Sequence, residues 1–252
     1  MALVTLSRPQ KHNALDLQMF EALHAAAQGL REEPGLRAVV LHGDGASFCS
    51  GLDFLSITAA ADGGASLAAM LDQPVPNFFQ RAAYDWLLLP VPVIAALHGS
   101  CLGGGLQIAL AADIRICSPE AQLSVMEARW GLIPDMAITR TLTRLVGIDV
   151  AKELTYTARV FDGREARALG VVTHLHENPL AAARELAAQI ATNSPDAVRR
   201  AKRLYDEAWS ATAEQTLALE AELQRQLLGT PNQLAAVSAG LRGLPAQFTD
   251  PA

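Results

Sequence analysis

Short β-branched and aliphatic runs alternate along the chain with longer stretches rich in alanine and leucine. The runs stand at residues 38–42 (AVVLH), 93–97 (VIAAL), 114–116 (IRI) and 171–172 (VV). Apolar runs this short, with little polar alternation, predict strands buried on both faces. Apolar spacing predicts a helix over residues 15–31. Strands alternating with helices predict an α/β fold with a buried, largely parallel sheet.

Residues 58–76 break the pattern with glycine, alanine, Asp62-Gly63-Gly64 and Pro74-Val75-Pro76. They read as a mobile loop, and so long a loop inside a domain is more often a lid or binding segment than filler. From Ser194-Pro195 onward strands give way to three helical stretches, each opened by a capping residue or a first-turn proline. The division expected is a core over residues 1–193 and a helical oligomerisation region over residues 194–252.

Two units repeat in outline: a strand, a glycine-rich turn, then a possible helix start. The first turn is Gly43 to Asp53 (GDGASFCSGLD) and the second His98 to Gly105 (HGSCLGGG). Backbone N–H groups at such junctions lack partners and attract negative charge. A phosphate loop fails on spacing, because neither G-x-x-x-x-G-K-[ST] nor G-x-G-x-x-G is present. The G-x-S-x-G elbow of a serine hydrolase is absent as well. His174 and His176 lack partners for a familiar zinc site and read as a solvated strand end. What remains is an oxyanion hole, in which backbone donors hold a carbonyl oxygen as it gains charge.

Composition narrows the class. Half of the 252 residues are hydrophobic and the net charge is −6, so the chain can bury a large core and lacks the basic excess of a general nucleic-acid binder. Cys49, Cys101 and Cys117 form no C-x-x-C pair, which suggests neither a disulfide framework nor a zinc site. No apolar run approaches the roughly 20 residues that cross a bilayer, and a cytoplasmic protein is expected.

Arg8-Pro9 with Asn13-Ala14-Leu15, Phe48 to Asp53, Gly99 with Gly103-Gly104-Gly105, Ala112 to Arg115, and Glu127 to Pro134 recur in order and spacing. In these residues, and in Ala201 to Leu204, the chain resembles the crotonase family of enoyl-CoA hydratases and isomerases. The resemblance implies a spiral of ββα turns, a first strand ahead of Arg8-Pro9, which in this sequence is either short or reflects a late start, and a C-terminal helical trimerisation region. It implies a homotrimer or dimer of trimers, and an acyl-CoA thioester as substrate. Coenzyme A is then part of the substrate and no separate cofactor is expected. The family's oxyanion hole maps onto the N–H groups of Ser50 and Gly104.

The acid and base define which member this is. Two glutamates hold the attacking water in the family's hydratases. One maps onto Glu127; the other position holds Gln107, which exchanges no proton at neutral pH. Asp135 stands where dienoyl-CoA isomerases of the family carry an aspartate paired with the residue matching Glu127. The resemblance thus favours double-bond isomerisation by Glu127 and Asp135, with Gln107, Trp130 and Lys11 as candidate substrate contacts. Three alternatives stay open: Asp135 as the N-cap of a helix over residues 136–146, a hydratase using Glu127, and a non-catalytic thioester-binding or RNA-associated relative. Arg199, Arg200, Lys202 and Arg203 read as a solvated helix face rather than a phosphate grip.

Overall fold

Parallel strands joined by long connections form the centre of the molecule, and the computed structural model describes residues 1–60 and 65–251 of it. The strands are β1 (Ala2–Leu6), β2 (Val39–Gly43), β3 (Val93–Leu97), β4 (Ser100–Leu102), β5 (Ile114–Cys117), β6 (Gln122–Ser124), β7 (Phe161–Asp162) and β8 (His174–Leu175). A large sheet runs in the order β1-β2-β3-β5-β8, with every pairing parallel. A small sheet runs β4-β6-β7, the last pair antiparallel.

The helices are α1 (Leu17–Arg31), α2 (Phe54–Ala60), α3 (Ala65–Leu71), α4 (Phe78–Leu87), α5 (Gly104–Leu110), α6 (Ile138–Thr141), α7 (Ile148–Thr157), α8 (Gly163–Leu169) and α9 (Pro179–Ala191). After them come α10 (Pro195–Ala208), α11 (Ala213–Leu227) and α12 (Pro231–Leu241), capped by Ser194, Thr212 and Thr230.

Strand periodicity explains why the runs are apolar throughout. Val39, Leu41, Val93, Ala95 and Leu97 face one core with Phe20 and Trp86; Ala38, Val40, Ile94 and Ala96 face Ala183 and Ala187 of α9. Each large aliphatic side chain so buried contributes about 1.5–3 kcal/mol relative to exposure. Successive turns place one strand in the large sheet and the next in the small one, as with β3-β4-α5 and then β5-β6, which is the ββα spiral. The segment around Cys49 joins the small sheet through a bridge to Cys101.

Several elements differ from the sequence expectation. Residues 171–172 are buried but not a strand; the pairing residues are His174–Leu175, after Thr173 N–H bonds to Arg115 O. The segment expected as a loop over residues 58–76 holds the end of α2 and all of α3, because alanine and leucine favour helix where no proline intervenes. Its Asp62-Gly63-Gly64 turn lies outside the described residues. The helix over residues 136–146 is broken into α6 and a 3-10 turn at Leu142–Arg144.

The basic stretch of α10 is neither a solvated face nor a phosphate grip at two of its four positions. Lys202 Nζ is buried against Asp113 Oδ2 (2.7 Å) and Val91 O (3.1 Å), and Arg199 donates to the carbonyls of Pro34 and Leu36. They dock α10 on the core, while Arg203 pairs with Glu207 along the helix. Among the described residues no helix is long and apolar enough to cross a membrane.

Candidate active site

The loops that leave the C-terminal ends of β2 and β3 meet above the large sheet, where ligands of parallel α/β folds commonly bind. Arg8 and Asn13 hold the first of them. Asn13 is fully buried; its amide oxygen accepts from Arg8 N–H (2.8 Å), and its amide nitrogen donates to the carbonyls of Asp44 and Ser47 (2.9 and 2.8 Å). The Arg8 guanidinium spans Asp16 and Asp53 at 3.2 and 3.1 Å. Asp53 also accepts from the hydroxyl and N–H of Ser56; these bonds, then Arg8, hold its carboxyl below the usual range. These motif residues are scaffold: they fix the path of residues 44–53.

That path decides which donors are free. Ser50 N–H donates to His12 O at 2.9 Å, so the Ser50 assignment is corrected: this donor is spent inside the protein. Leu52 N–H, two residues on, has no acceptor among the described residues, and Gly51 (φ +89°) turns the backbone between them. Gly104 N–H, the first of α5, also lacks an acceptor there. Leu52 and Gly104 line one cleft of about 290 Å³. Two backbone donors facing one apolar space suit an oxygen that gains charge during reaction.

The three glycines have separate reasons. Gly103 adopts φ +51°, ψ −122°, a conformation costly for any side chain. A Cβ on Gly104 would lie 2.9 Å from Leu15 Cδ1 and 3.0 Å from Met136 Sδ. One on Gly105 would lie 2.7 Å from Cys49 Cβ, so this glycine lets α5 pack on the preceding turn. Burial pushes the Cys49 and Cys117 thiols up to about 12, which removes them as nucleophiles.

Glu127, Asp135, Gln107 and Trp130 all border the cleft. Gln107, 1% exposed, donates from Nε2 to Glu127 Oε1 at 2.7 Å and accepts from Met136 N–H at 2.8 Å. One N–H and one lone pair of the amide are thus engaged by protein, which leaves the second N–H for the expected substrate contact at the cleft. Glu127 Oε2 is buried without a hydrogen-bond partner. Burial raises the Glu127 pKa; the Gln107 bond opposes the rise and the charge of Asp135 adds to it. Burial raises the Asp135 pKa too. Asp135 caps no helix, since α6 starts three residues later with Ala137 at its N-cap. Trp130 walls the mouth beside Phe54, ring centroids 4.8 Å apart. Lys11 sits exposed on the Pro9–Lys11 turn, outside the lining of the cleft.

Leu52 is the residue that sequence reasoning missed. Its only signal was adjacency to Gly51, and the pairing of Ser50 with His12 that singles it out joins residues 38 positions apart.

Comparison with known proteins places this arrangement among relatives. The profile of the enoyl-CoA hydratase/isomerase family matches residues 1–245. The Bacillus subtilis (strain 168) protein YngF, named for that same pair of activities, is 36% identical over 244 residues, spanning 95% of this chain and 90% of that one. The mitochondrial Delta(3,5)-Delta(2,4)-dienoyl-CoA isomerase of Mus musculus is 30% identical over 94% of this chain and 75% of its own length. The crystal structure of an enoyl-CoA hydratase from Bacillus anthracis superposes with a TM-score of 0.90 at 30% identity, covering 98% of this chain and 94% of that one.

Proposed function

The chain belongs to the enoyl-CoA hydratase/isomerase family, and we propose that it moves a double bond along an unsaturated acyl-CoA thioester. One observation carries the choice of isomerisation. Glu127 and Asp135 are the charged groups lining the cleft among the described residues, and the polar side chain beside Glu127 is an amide that cannot trade protons.

The thioester oxygen sits between the N–H groups of Leu52 and Gly104. One carboxyl of the pair, ionised, removes a proton from the carbon next to the thioester carbonyl. The electron pair passes into an enolate extended over the unsaturated chain, with its charge on the held oxygen. The second carboxyl, protonated, delivers a proton at the far end of the conjugated system, and the double bond shifts. Two carboxyls sharing an apolar site titrate as a pair, so one retains a proton while the other ionises. Losing one oxyanion donor in such sites costs about 2.7–4 kcal/mol of transition-state stabilisation. Only protons move, and coenzyme A enters as part of the substrate.

Incubation with a 3,5-dienoyl-CoA and, separately, a 2-enoyl-CoA tests the reading, with the thioester chromophores followed in each. Rapid conversion of the dienoyl substrate is expected. Rapid hydration of the 2-enoyl substrate without isomerisation overturns it in favour of Glu127 acting alone on water, the reading that the hydratase superposition supports. The exposed Leu217, Leu234, Val237 and Leu241 of α11 and α12 support assembly through the C-terminal helices, as a homotrimer or dimer of trimers.

A further inference from the structure

We infer that the cleft takes an uncharged, apolar acyl chain and rejects acyl chains that end in a carboxylate; this rests on reading the cleft as the acyl-thioester site. Of the helices that wall it, α1 to α4 contribute only apolar side chains: Phe20 from α1, Phe54 and Ile57 from α2, Leu67 and Leu71 from α3, and Phe79 from α4; α5 adds Gln107, whose amide is bonded to Glu127 and Met136. No lysine, arginine or histidine lines it among the described residues. The charges it does carry are the carboxyls of Glu127 and Asp135, and burial already raises the pKa of both.

A carboxylate at the end of an acyl chain would leave water for this wall. It would find no cation among the described residues and no side-chain donor on α1 to α4, and it would add a negative charge to a site that holds two acidic groups. The mouth adds no cation, because Trp130, Leu132 and Ile133 are uncharged and exposed. The cations nearest in sequence to lining residues, Arg81 and Arg129, lie outside the lining; Arg129 is exposed, and the half-buried Arg81 guanidinium donates to Gln73 Oε1 at 2.7 Å. At about 290 Å³ the cleft stands at the lower limit of the roughly 300–1,000 Å³ usual for small-molecule sites, which suits short and medium chains.

Binding of saturated thioesters tests this without depending on turnover. The full chain is titrated calorimetrically with hexanoyl-CoA and with the matched thioester whose six-carbon acyl chain ends in a carboxylate. Stranding the carboxylate in this wall is expected to make hexanoyl-CoA bind about 10- to 100-fold more tightly, or about 1.4–2.8 kcal/mol. A preference below tenfold overturns the inference.

Leu71→Arg, at a half-exposed position on the wall, is the control for cause. It is expected to bring the two affinities within about threefold; an unchanged preference would show that the missing cation is not what discriminates, and would overturn the inference as well. Turnover of unsaturated thioesters is measured in parallel. A tenfold preference with neither isomerisation nor hydration defeats the proposed reaction alone, whereas turnover without the preference defeats this inference alone.

Discussion

Gln107 holds Glu127 and the Asp135–Met136 segment together: its Nε2 donates to Glu127 Oε1 at 2.7 Å and its Oε1 accepts from Met136 N–H at 2.8 Å. One neutral amide therefore sets the orientation of one carboxyl and the position of the loop that bears the other. Replacing Gln107→Leu removes both bonds and strands their partners, a loss of about 1–3 kcal/mol for a buried group. It also removes a contact that lowers the Glu127 pKa. The acid limb of the pH–rate profile is expected to move to higher pH, with kcat falling more than KM rises. Gln107→Glu, which adds a like charge, is expected to shift that limb in the same direction.

Burial of Glu127 costs stability, and the sign follows from its raised pKa. Between the unfolded value, about 4.3, and the higher folded value, the folded protein keeps a proton that the unfolded chain releases. This group's contribution is therefore fully present below the unfolded pKa and is lost as pH rises through the folded one. Glu127→Gln is expected to raise the thermal midpoint at pH 8, with the gain shrinking as pH falls toward 4. The same change is expected to lower kcat by about 10²–10⁴, the usual worth of a general acid–base group. Calorimetric scans and steady-state rates across pH check both.

With Ser50 N–H bonded to His12 O, Leu52 is the residue proposed to supply the first oxyanion donor. Incorporating the α-hydroxy acid of leucine at position 52 puts an ester oxygen where the N–H was and leaves the side chain intact. A fall in kcat of about 10²–10³ is expected, with little change in stability. The equivalent ester at Ser50 breaks its 2.9 Å bond to His12 O. Loss of about 0.5–1.5 kcal/mol of stability with kcat retained is expected there.

Asp135 tests the division of labour between the carboxyls. Asp135→Asn keeps the shape of the cleft but can no longer exchange a proton. Isomerisation of a 3,5-dienoyl-CoA is expected to slow by about 10²–10⁴ with substrate affinity nearly unchanged, as single-turnover rates and equilibrium titration would show. An equal loss in affinity would make Asp135 a binding group instead.

Much of this protein was legible before any fold was built. The apolar runs at residues 38–42 and 93–97 are local facts, and a strand covered on both faces can tolerate little else. Gln107 is equally plain, because an amide carries no proton whatever surrounds it.

Residues 58–76 and 135 show where local reading stops. Glycine and aspartate near Asp62 suggested a loop, yet α3 forms beside them, since alanine and leucine propensity prevails over Ala65–Leu71. Asp135 after a proline had the look of a cap, but the chain continues irregularly to Ala137 before α6 begins, which leaves the carboxyl at the cleft. Which backbone donors are free was decided only by tertiary structure. Ser50 and Leu52 differ because residues 8–15, anchored by Arg8 and Asn13, lie alongside residues 49–53 and take up one N–H while leaving the other. Sequence alone determined which side chains could carry a proton; long-range hydrogen bonding decided which groups remained unpaired to use it.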